Sequence, residues 1–399
     1  MSFNHRVVVL GGGYAGMMCA QRLARRTRWR GGVYITLVNP SPRFTERLRL
    51  HQLAAGHELG DYPIARLLED TGIEFLCGKA AAIDTVAREV TVETLGTVRR
   101  LDYDTLVYAV GSSTETRTVP GAEEHAYTLN TAQQALRVAR GLRELAATGG
   151  TVTVCGGGLT GVETAAEIAE SHPGLRVSLI SRGEPAAVLG ARARAHMTEV
   201  FERLGVTVRR GTVTKVLPDA VELAGGETVT SDLTVWTTGV RVPGLAARAG
   251  IGTAADGLIA VDPTLRSLTH PDIYAVGDAA HIRQRWGALH GTCQSAMPSG
   301  AHAADQIARQ LEGGIPKPFR FGYFHQPVSL GRGDAVVQFV RHDDSPRRLL
   351  ITGRRAVRYK ESISAGPIST YTKTKGLLGL LVPTGISKGG FVTRRPYQD

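Results

Sequence analysis

Apolar residues along this chain fall into two recurring patterns. Some form short unbroken runs of valine, isoleucine and leucine; others return every three or four positions over longer stretches. The runs predict strands buried on both faces, and the longer stretches predict helices lying against them, which together point to an α/β architecture. Residues 6–10 are such a run, and after them Gly16, Cys19, Ala20 and Leu23 share one helical face. Residues 151–155 repeat the run, and Thr164, Ala165 and Ile168 repeat the face. The next strands, "VYITLV" ending at Asn39 and "RVSLI" ending at Ser181, arrive at matching distances in the two copies. "REVTVETLGTVRRLDYDTLVYAVG" and "DAVELAGGETVTSDLTVWTTG" each read as a glycine-containing hairpin followed by a buried strand that ends in glycine. Asp104 precedes Gly111 by the interval that separates Asp232 from Gly239. The pattern encodes two whole domains of one architecture.

Between strand and helix each copy carries G-x-G-x-x-G: Gly11, Gly13 and Gly16 in the first, Gly156, Gly158 and Gly161 in the second. The first glycine of such a loop makes the tight turn, the second lets backbone approach a pyrophosphate, and the third packs helix on strand. The helix N-terminus then offers N–H groups and a positive dipole end to the phosphates. A residue about 20 positions further on reads the ribose, which selects Asn39 and Ser181. A third element, "DIYAVGDAA", is an apolar strand that stops at Gly277, after which Asp278 is expected to open a helix. A carboxylate there can cap the helix or accept a hydrogen bond from a sugar-alcohol hydroxyl.

Composition narrows the class. A chain of 399 residues with 42% hydrophobic and 21% charged residues is a soluble protein of two or three domains. No stretch has the roughly 18 to 20 uninterrupted apolar residues of a membrane span, and "MSFNHRVVVL" runs straight into a strand pattern, so the expectation is a cytoplasmic protein. Cys19, Cys77, Cys155 and Cys293 form no close pair, which predicts reduced thiols and no metal site. The net charge of +11 would suit nucleic acid, an anionic membrane surface or anionic small molecules. Its arginines are dispersed without interleaved aromatics or a nucleic-acid module, so a solvated basic face is expected and no nucleic-acid partner.

In their order and spacing "VVVLGGGYAGM", "TLVYAVG", "GGGLTGVETAAE", "VWTTGV" and "DIYAVGDAA" resemble the two-dinucleotide flavoproteins that include the pyridine nucleotide-disulfide oxidoreductases, and within them the type II NADH dehydrogenases and their soluble relatives. The resemblance runs from about residue 6 to residue 311 and implies that one copy holds FAD and the other a nicotinamide dinucleotide. It implies two Rossmann-like domains, with a discontinuous FAD domain at 1–118 and 262–325, an NAD(P)H domain at 119–261, and a small C-terminal α+β domain at 326–399. Carried over residue by residue, Gly11, Gly13, Tyr14, Ala15 and Gly16 would cradle the FAD pyrophosphate. Asn39 would take the ribose, Ala109 and Gly111 would lie beside the flavin, and Asp278 would bind the ribityl chain. Gly156, Gly158, Leu159, Thr160 and Gly161 would hold the nicotinamide nucleotide, with Gly239 lining the same cleft and Glu163 near the nicotinamide and flavin.

Departures from the family pattern carry information too. Asn39 stands where an acid is usual, and an amide can still donate and accept. At Ser181 and Arg182 a 2′-phosphate would meet a hydroxyl and a guanidinium, which favours NADPH over NADH. The stretch "RFTERLRLHQLAAG" lacks the redox cysteines of the disulfide reductases. It places Arg47 and His51 where an acceptor approaches, and His51 is a group able to move a proton near neutral pH. "CQSAMPSGAHAADQIA" keeps Gln294 of the family's quinone-associated segment but has Pro298 where a second polar group is usual. The tail "ESISAGPISTYTKTKGLLGLLVPTGISKGGF" reads as broken by proline and glycine, with one short apolar run at 377–382, and is expected to be a soluble tail or dimer contact more than a membrane anchor. The resulting expectation is an FAD-dependent enzyme that takes a hydride from NAD(P)H and passes electrons to a quinone-like or other small organic acceptor. The alternatives are a reductase of a ferredoxin-type protein, or a flavoprotein that senses NAD(P)H.

Overall fold

The structure, a computed structural model, describes residues 4–373. Two five-stranded parallel sheets organise them. In the first, His5–Leu10 is central, with Val33–Asn39 and Ile73–Cys77 to one side and Thr105–Tyr108 and Ile273–Ala275 to the other. In the second, Thr151–Cys155 is central, flanked by Arg176–Ser181 and Thr207–Arg210 and, opposite, by Leu233–Trp236 and Ala126–Tyr127. Strand order reverses at each central strand, so the loop leaving its carboxyl end opens into a crevice between helices of opposite faces. Both runs of valines are buried, as a parallel sheet covered on two sides requires.

The repeat extends to details. Asp104 Oδ2 accepts from the Arg6 N–H at 2.7 Å, and Asp232 Oδ2 accepts from the Thr151 N–H at 2.7 Å, so the same carboxylate pins the start of the central strand in each copy. Each predicted hairpin gains a third strand: Lys79–Asp84, Glu89–Glu93 and Val98–Asp102 in one copy, Val213–Val216, Ala220–Leu223 and Thr228–Thr230 in the other.

The helices Tyr14–Thr27 and Cys293–Leu311 cross closely. A Cβ at Gly300 would collide with the carbonyl of Ala15, and a buried two-point pair fixes the crossing, with Arg22 Nε and Nη2 lying 2.8 and 2.9 Å from the Asp305 carboxylate. The expected helix after Asp278 does not form. Gly277–Ala279 is one 3₁₀ turn without a side-chain cap, and it leads directly into the strand Ala280–His281. Pairing of that strand with Ile259–Ala260 takes the chain away from a helical path.

A third, antiparallel sheet of His325–Ser329, Ala335–Val340 and Pro346–Thr352 carries the helix Gly353–Lys373. This corrects the reading of the tail as broken by proline and glycine, because the helix passes through Gly366 and Pro367. Ala356, Lys360, Ser364, Ile368 and Tyr371 recur at helical spacing and are all buried, and that burial offsets the roughly 3 kcal/mol cost of an interior proline. The apolar run at 377–382 lies outside the described residues. Among those described, no helix is long and apolar enough to cross a membrane, and the four cysteines are free.

Candidate active site

Each glycine loop is shaped by the same two collisions. Gly11 and Gly156 have φ of +106° and +128°, where a side chain is strained, and a Cβ would strike Ala109 O at the first and Thr237 Oγ1 at the second. At Gly16 and Gly161 a Cβ would strike the carbonyls of Gly11 and Gly156, so helix and turn can approach only as glycines. The helix caps, Gly13 and Gly158, face open space and carry no side-chain cap. Helices Ala132–Ala146 and Cys293–Leu311, by contrast, are capped by Thr131 and Thr292. Both of these helix N-termini, at Gly13 and Gly158, therefore lack a side-chain cap and stand open to a ligand.

Around the first loop, Asn39 is tied to backbone. Its Oδ1 accepts from the Gly12 N–H at 2.8 Å and its Nδ2 donates to Ser41 O at 2.8 Å. Tyr14 is buried edge-on against Phe44, and its carbonyl accepts from the Tyr371 hydroxyl at 3.0 Å. Arg47 donates to Ser112 O at 2.7 Å beside Gly111, and the Ser112 hydroxyl donates to Asp278 at 2.9 Å. Gln294 is held at both ends by the third sheet, donating to His325 O at 2.9 Å and accepting from the Phe324 N–H at 3.1 Å.

Around the second loop, Leu159 is half-buried and Thr160 is exposed. Ser181 is buried against Gly157, and Arg182 is exposed next to it. Gly239, at φ +77°, backs onto Glu115.

Glu163 and His51, remote in sequence, meet. The helix Leu50–Ala54 packs on Leu159–Ser171, and His51 Nδ1 lies 3.8 Å from Glu163 Oε2. Glu163 Oε1 accepts from the Ser329 N–H at 3.0 Å and is paired with the Lys360 ammonium, which also donates to Pro327 O at 3.2 Å. Burial opposes the charge of Glu163, but the Lys360 ammonium and the hydrogen bonds from Lys360 and the Ser329 N–H outweigh it and hold the carboxyl below its usual value. His51 does not behave as a neutral-pH titrating group. Burial lowers it to about 4 against the pull of Glu163, so near pH 7 its ring is uncharged.

Burial pushes the Cys293 thiol up to about 12, with Asp278 and Glu163 adding to the rise and Lys360 opposing it.

Lys360, Glu167 and Arg332 escaped the sequence reading. Glu167 lies one turn beyond Glu163, fully buried, and Arg332 Nε is 3.6 Å from it. A signal for Lys360 was present: nearly every cation in this chain is arginine, and a lysine inside a helical stripe of small and apolar residues is conspicuous.

A family model for pyridine nucleotide-disulphide oxidoreductases matches residues 5–306. An NADH dehydrogenase-like protein of Mycobacterium tuberculosis is 29% identical over 384 residues, covering 90% of this chain and 93% of that one. A type II NADH:quinone oxidoreductase of Staphylococcus epidermidis is 26% identical over 369 residues, covering 83% and 89%. The fold is shared with NDH2 of Plasmodium falciparum (TM-score 0.79, 16% identity, 94% and 99% covered) and with the sulfide:quinone oxidoreductase of Aquifex aeolicus (TM-score 0.79, 24% identity, 93% and 92% covered). The chain belongs to the pyridine nucleotide-disulphide oxidoreductase family and is an FAD-dependent NAD(P)H oxidoreductase.

Proposed function

We propose that this enzyme passes the electrons of NADPH, in preference to NADH, to a small quinone-like acceptor without a redox disulfide. The observation that carries the reading is the buried Glu163, held between His51 and Lys360 beside a second uncapped glycine loop, in a chain whose cysteines stand apart. The quinone class comes from the relatives, among them a demethylphylloquinone reductase of Synechocystis that is 27% identical over 351 residues.

The first loop fits FAD. A pyrophosphate would occupy the open space beside Gly13 and satisfy the helix N-terminus, with Tyr14, Ala15 and Gly16 behind it and Asp278 available to sugar-alcohol hydroxyls. When bound there, FAD supplies the hydride acceptor and the electron store between the two half-reactions. Gly156, Gly158, Leu159, Thr160 and Gly161 bind the pyrophosphate of the pyridine nucleotide, and Ser181 with Arg182 receives a 2′-phosphate. Glu163 orients the nicotinamide end and relays a proton to the acceptor, while Lys360 keeps the carboxylate charged between transfers. Domain limits of 1–118 with 262–325, 119–261 and 326–399 belong to the same proposal.

Anaerobic mixing of the purified yellow protein with NADPH and with NADH, followed by a panel of acceptors, tests it. Bleaching by NADPH at lower concentration than NADH and recovery of colour with a soluble quinone are expected. A protein that neither binds flavin nor bleaches would overturn the reading.

A further inference from the structure

Beyond Glu163 the buried charges continue toward the surface. Glu167, on the same helix face, places Oε2 3.9 Å from His51 Nε2 and Oε1 3.2 Å from His57 Nε2. His57 also meets the Ser171 hydroxyl at 3.1 Å and is 38% exposed. Glu167 Oε1 and His51 Nε2 are buried and make no well-aligned hydrogen bond among the described residues. Oε1 faces His57 and Arg332 Nε, at 3.2 and 3.6 Å, while His51 Nε2 faces the other oxygen, Oε2, so buried polar atoms follow one another from the part-exposed His57 inward, where a fold that needed only packing would place apolar groups.

We infer that His57, Glu167 and His51 form a proton entry route from solvent to Glu163. The inference rests on the proposed function, which creates the demand. Reduction of a quinone to its quinol takes two electrons and two protons, NAD(P)H supplies two electrons and one proton as hydride, and the second proton comes from water. Each group in the route is entered at one heteroatom and left from the other. His57 takes a solvent proton at Nδ1 and gives its Nε2 proton to Glu167 Oε1; Glu167 gives from Oε2 to His51 Nε2; and His51 gives from Nδ1 to Glu163 Oε2. The two hops of 3.8 and 3.9 Å close by a small side-chain turn or through a bridging water.

The charges facing the route suit this task. Burial pushes Glu167 up to about 7, with Glu170 and Glu163 adding to the rise and the Arg332 guanidinium and Lys360 opposing it. It can therefore gain and lose a proton near neutrality. His57 is lowered by burial, Arg332 and His172 against Glu170, which makes it a ready donor. His51 is lowered by burial, Lys360, Arg332 and Arg49 against Glu163, so it passes a proton on without keeping it. Arg49 and Arg332 are themselves held by Glu361 on the last helix.

The holoenzyme is assayed with NADPH against two acceptors, a water-soluble benzoquinone, which needs the proton, and ferricyanide, which takes electrons alone. Wild-type quinone turnover should fall as pH rises through 7, where Glu167 loses its proton. Glu167→Gln should lower quinone turnover by about tenfold or more, flatten that limb and change the solvent deuterium isotope effect, while ferricyanide reduction keeps its rate. Glu167→Asp should restore part of the loss. His57→Asn, at a part-exposed position that tolerates change, should give a smaller loss that added imidazole repairs. Wild-type pH profiles and isotope effects in both variants would overturn the route, and so would an equal loss with ferricyanide. Failure of NADPH to bleach the wild-type flavin is a distinct result that overturns the proposed function and the route with it.

Discussion

The two glycine loops follow one plan up to their turns and then part company in what covers them. Behind exposed Gly13, Tyr14 and Ala15 are buried under Phe44, Tyr371 and the helix Cys293–Leu311. In the second copy, Gly158 and Thr160 both reach solvent. A loop whose surroundings close over it suits a ligand that stays through many turnovers, and an open loop suits one that must enter and leave each time. The same phosphate-binding turn can therefore serve a resident cofactor or a transient substrate, and the choice lies in the packing of segments as remote in sequence as the last helix.

The sharpest way to break that comparison is to spoil each turn in the same manner. Gly11→Val and Gly156→Val both force a branched residue into a positive-φ site and into a neighbouring atom. Gly11→Val should purify with less than about a tenth of the wild-type flavin, as loss of a pre-formed phosphate site predicts. Gly156→Val should stay yellow while its reduction by low NADPH slows by about tenfold or more. Absorbance spectra and anaerobic stopped-flow traces decide it, and a colourless Gly156→Val would end the division of labour.

The second copy differs also in presenting acids to a foreign helix. Lys360→Met would leave the buried Glu163 carboxylate without its ammonium partner, a loss of about 3 kcal/mol or more in denaturant unfolding. Adding Glu163→Gln should recover much of it, because the uncompensated charge is then gone. On the first helix the group presented to a remote helix is instead a cation, Arg22, paired in the interior with Asp305, so removing Arg22 alone should cost a similar amount.

Both turns were legible in the sequence because strand, glycine spacing and helix face are local and repeated. Asn39 and Ser181 could likewise be placed at the strand ends by spacing alone. The meeting of Glu163 with His51 and Lys360 was not legible, since it depends on three helices remote in sequence, Leu50–Ala54, Leu159–Ser171 and Gly353–Lys373, coming together. Lys360 in particular sits in a stripe of Ala356, Ser364, Ile368 and Tyr371 that hydrophobicity barely marks, and Pro367 made the segment look broken. The helix expected at Asp278 failed for a related reason: a good capping residue says where a helix can start, but strand pairing decided that none would.

Strand ends offer a milder contrast. Arg182 is exposed and free to meet a phosphate, whereas Asn39 has both ends of its amide committed to backbone. Arg182→Ala should raise the KM for NADPH by about tenfold, the loss of one charge-assisted hydrogen bond, and leave that for NADH unchanged. Equal effects on the two nucleotides would remove Arg182 from the reading of specificity.

The smallest expected difference tests how far the symmetry reaches. Asp232 accepts from both the Thr151 N–H and its hydroxyl, each at 2.7 Å, and those two bonds hold its carboxyl below the usual range. A depressed carboxyl contributes stability that is present above its unfolded value near 4 and is lost as pH falls through the lower folded value. Asp104 pins the corresponding strand through the Arg6 N–H but meets no hydroxyl there, since arginine stands where the second copy has threonine. Asp232→Asn should therefore flatten the acid limb of the stability curve, but only by about a few tenths of a kcal/mol, because the group is exposed and screened by solvent. Urea midpoints between pH 7 and pH 3 measure it, and an unchanged acid limb would mean that the two bonds to Thr151 fix the strand's register without contributing to its pH-dependent stability.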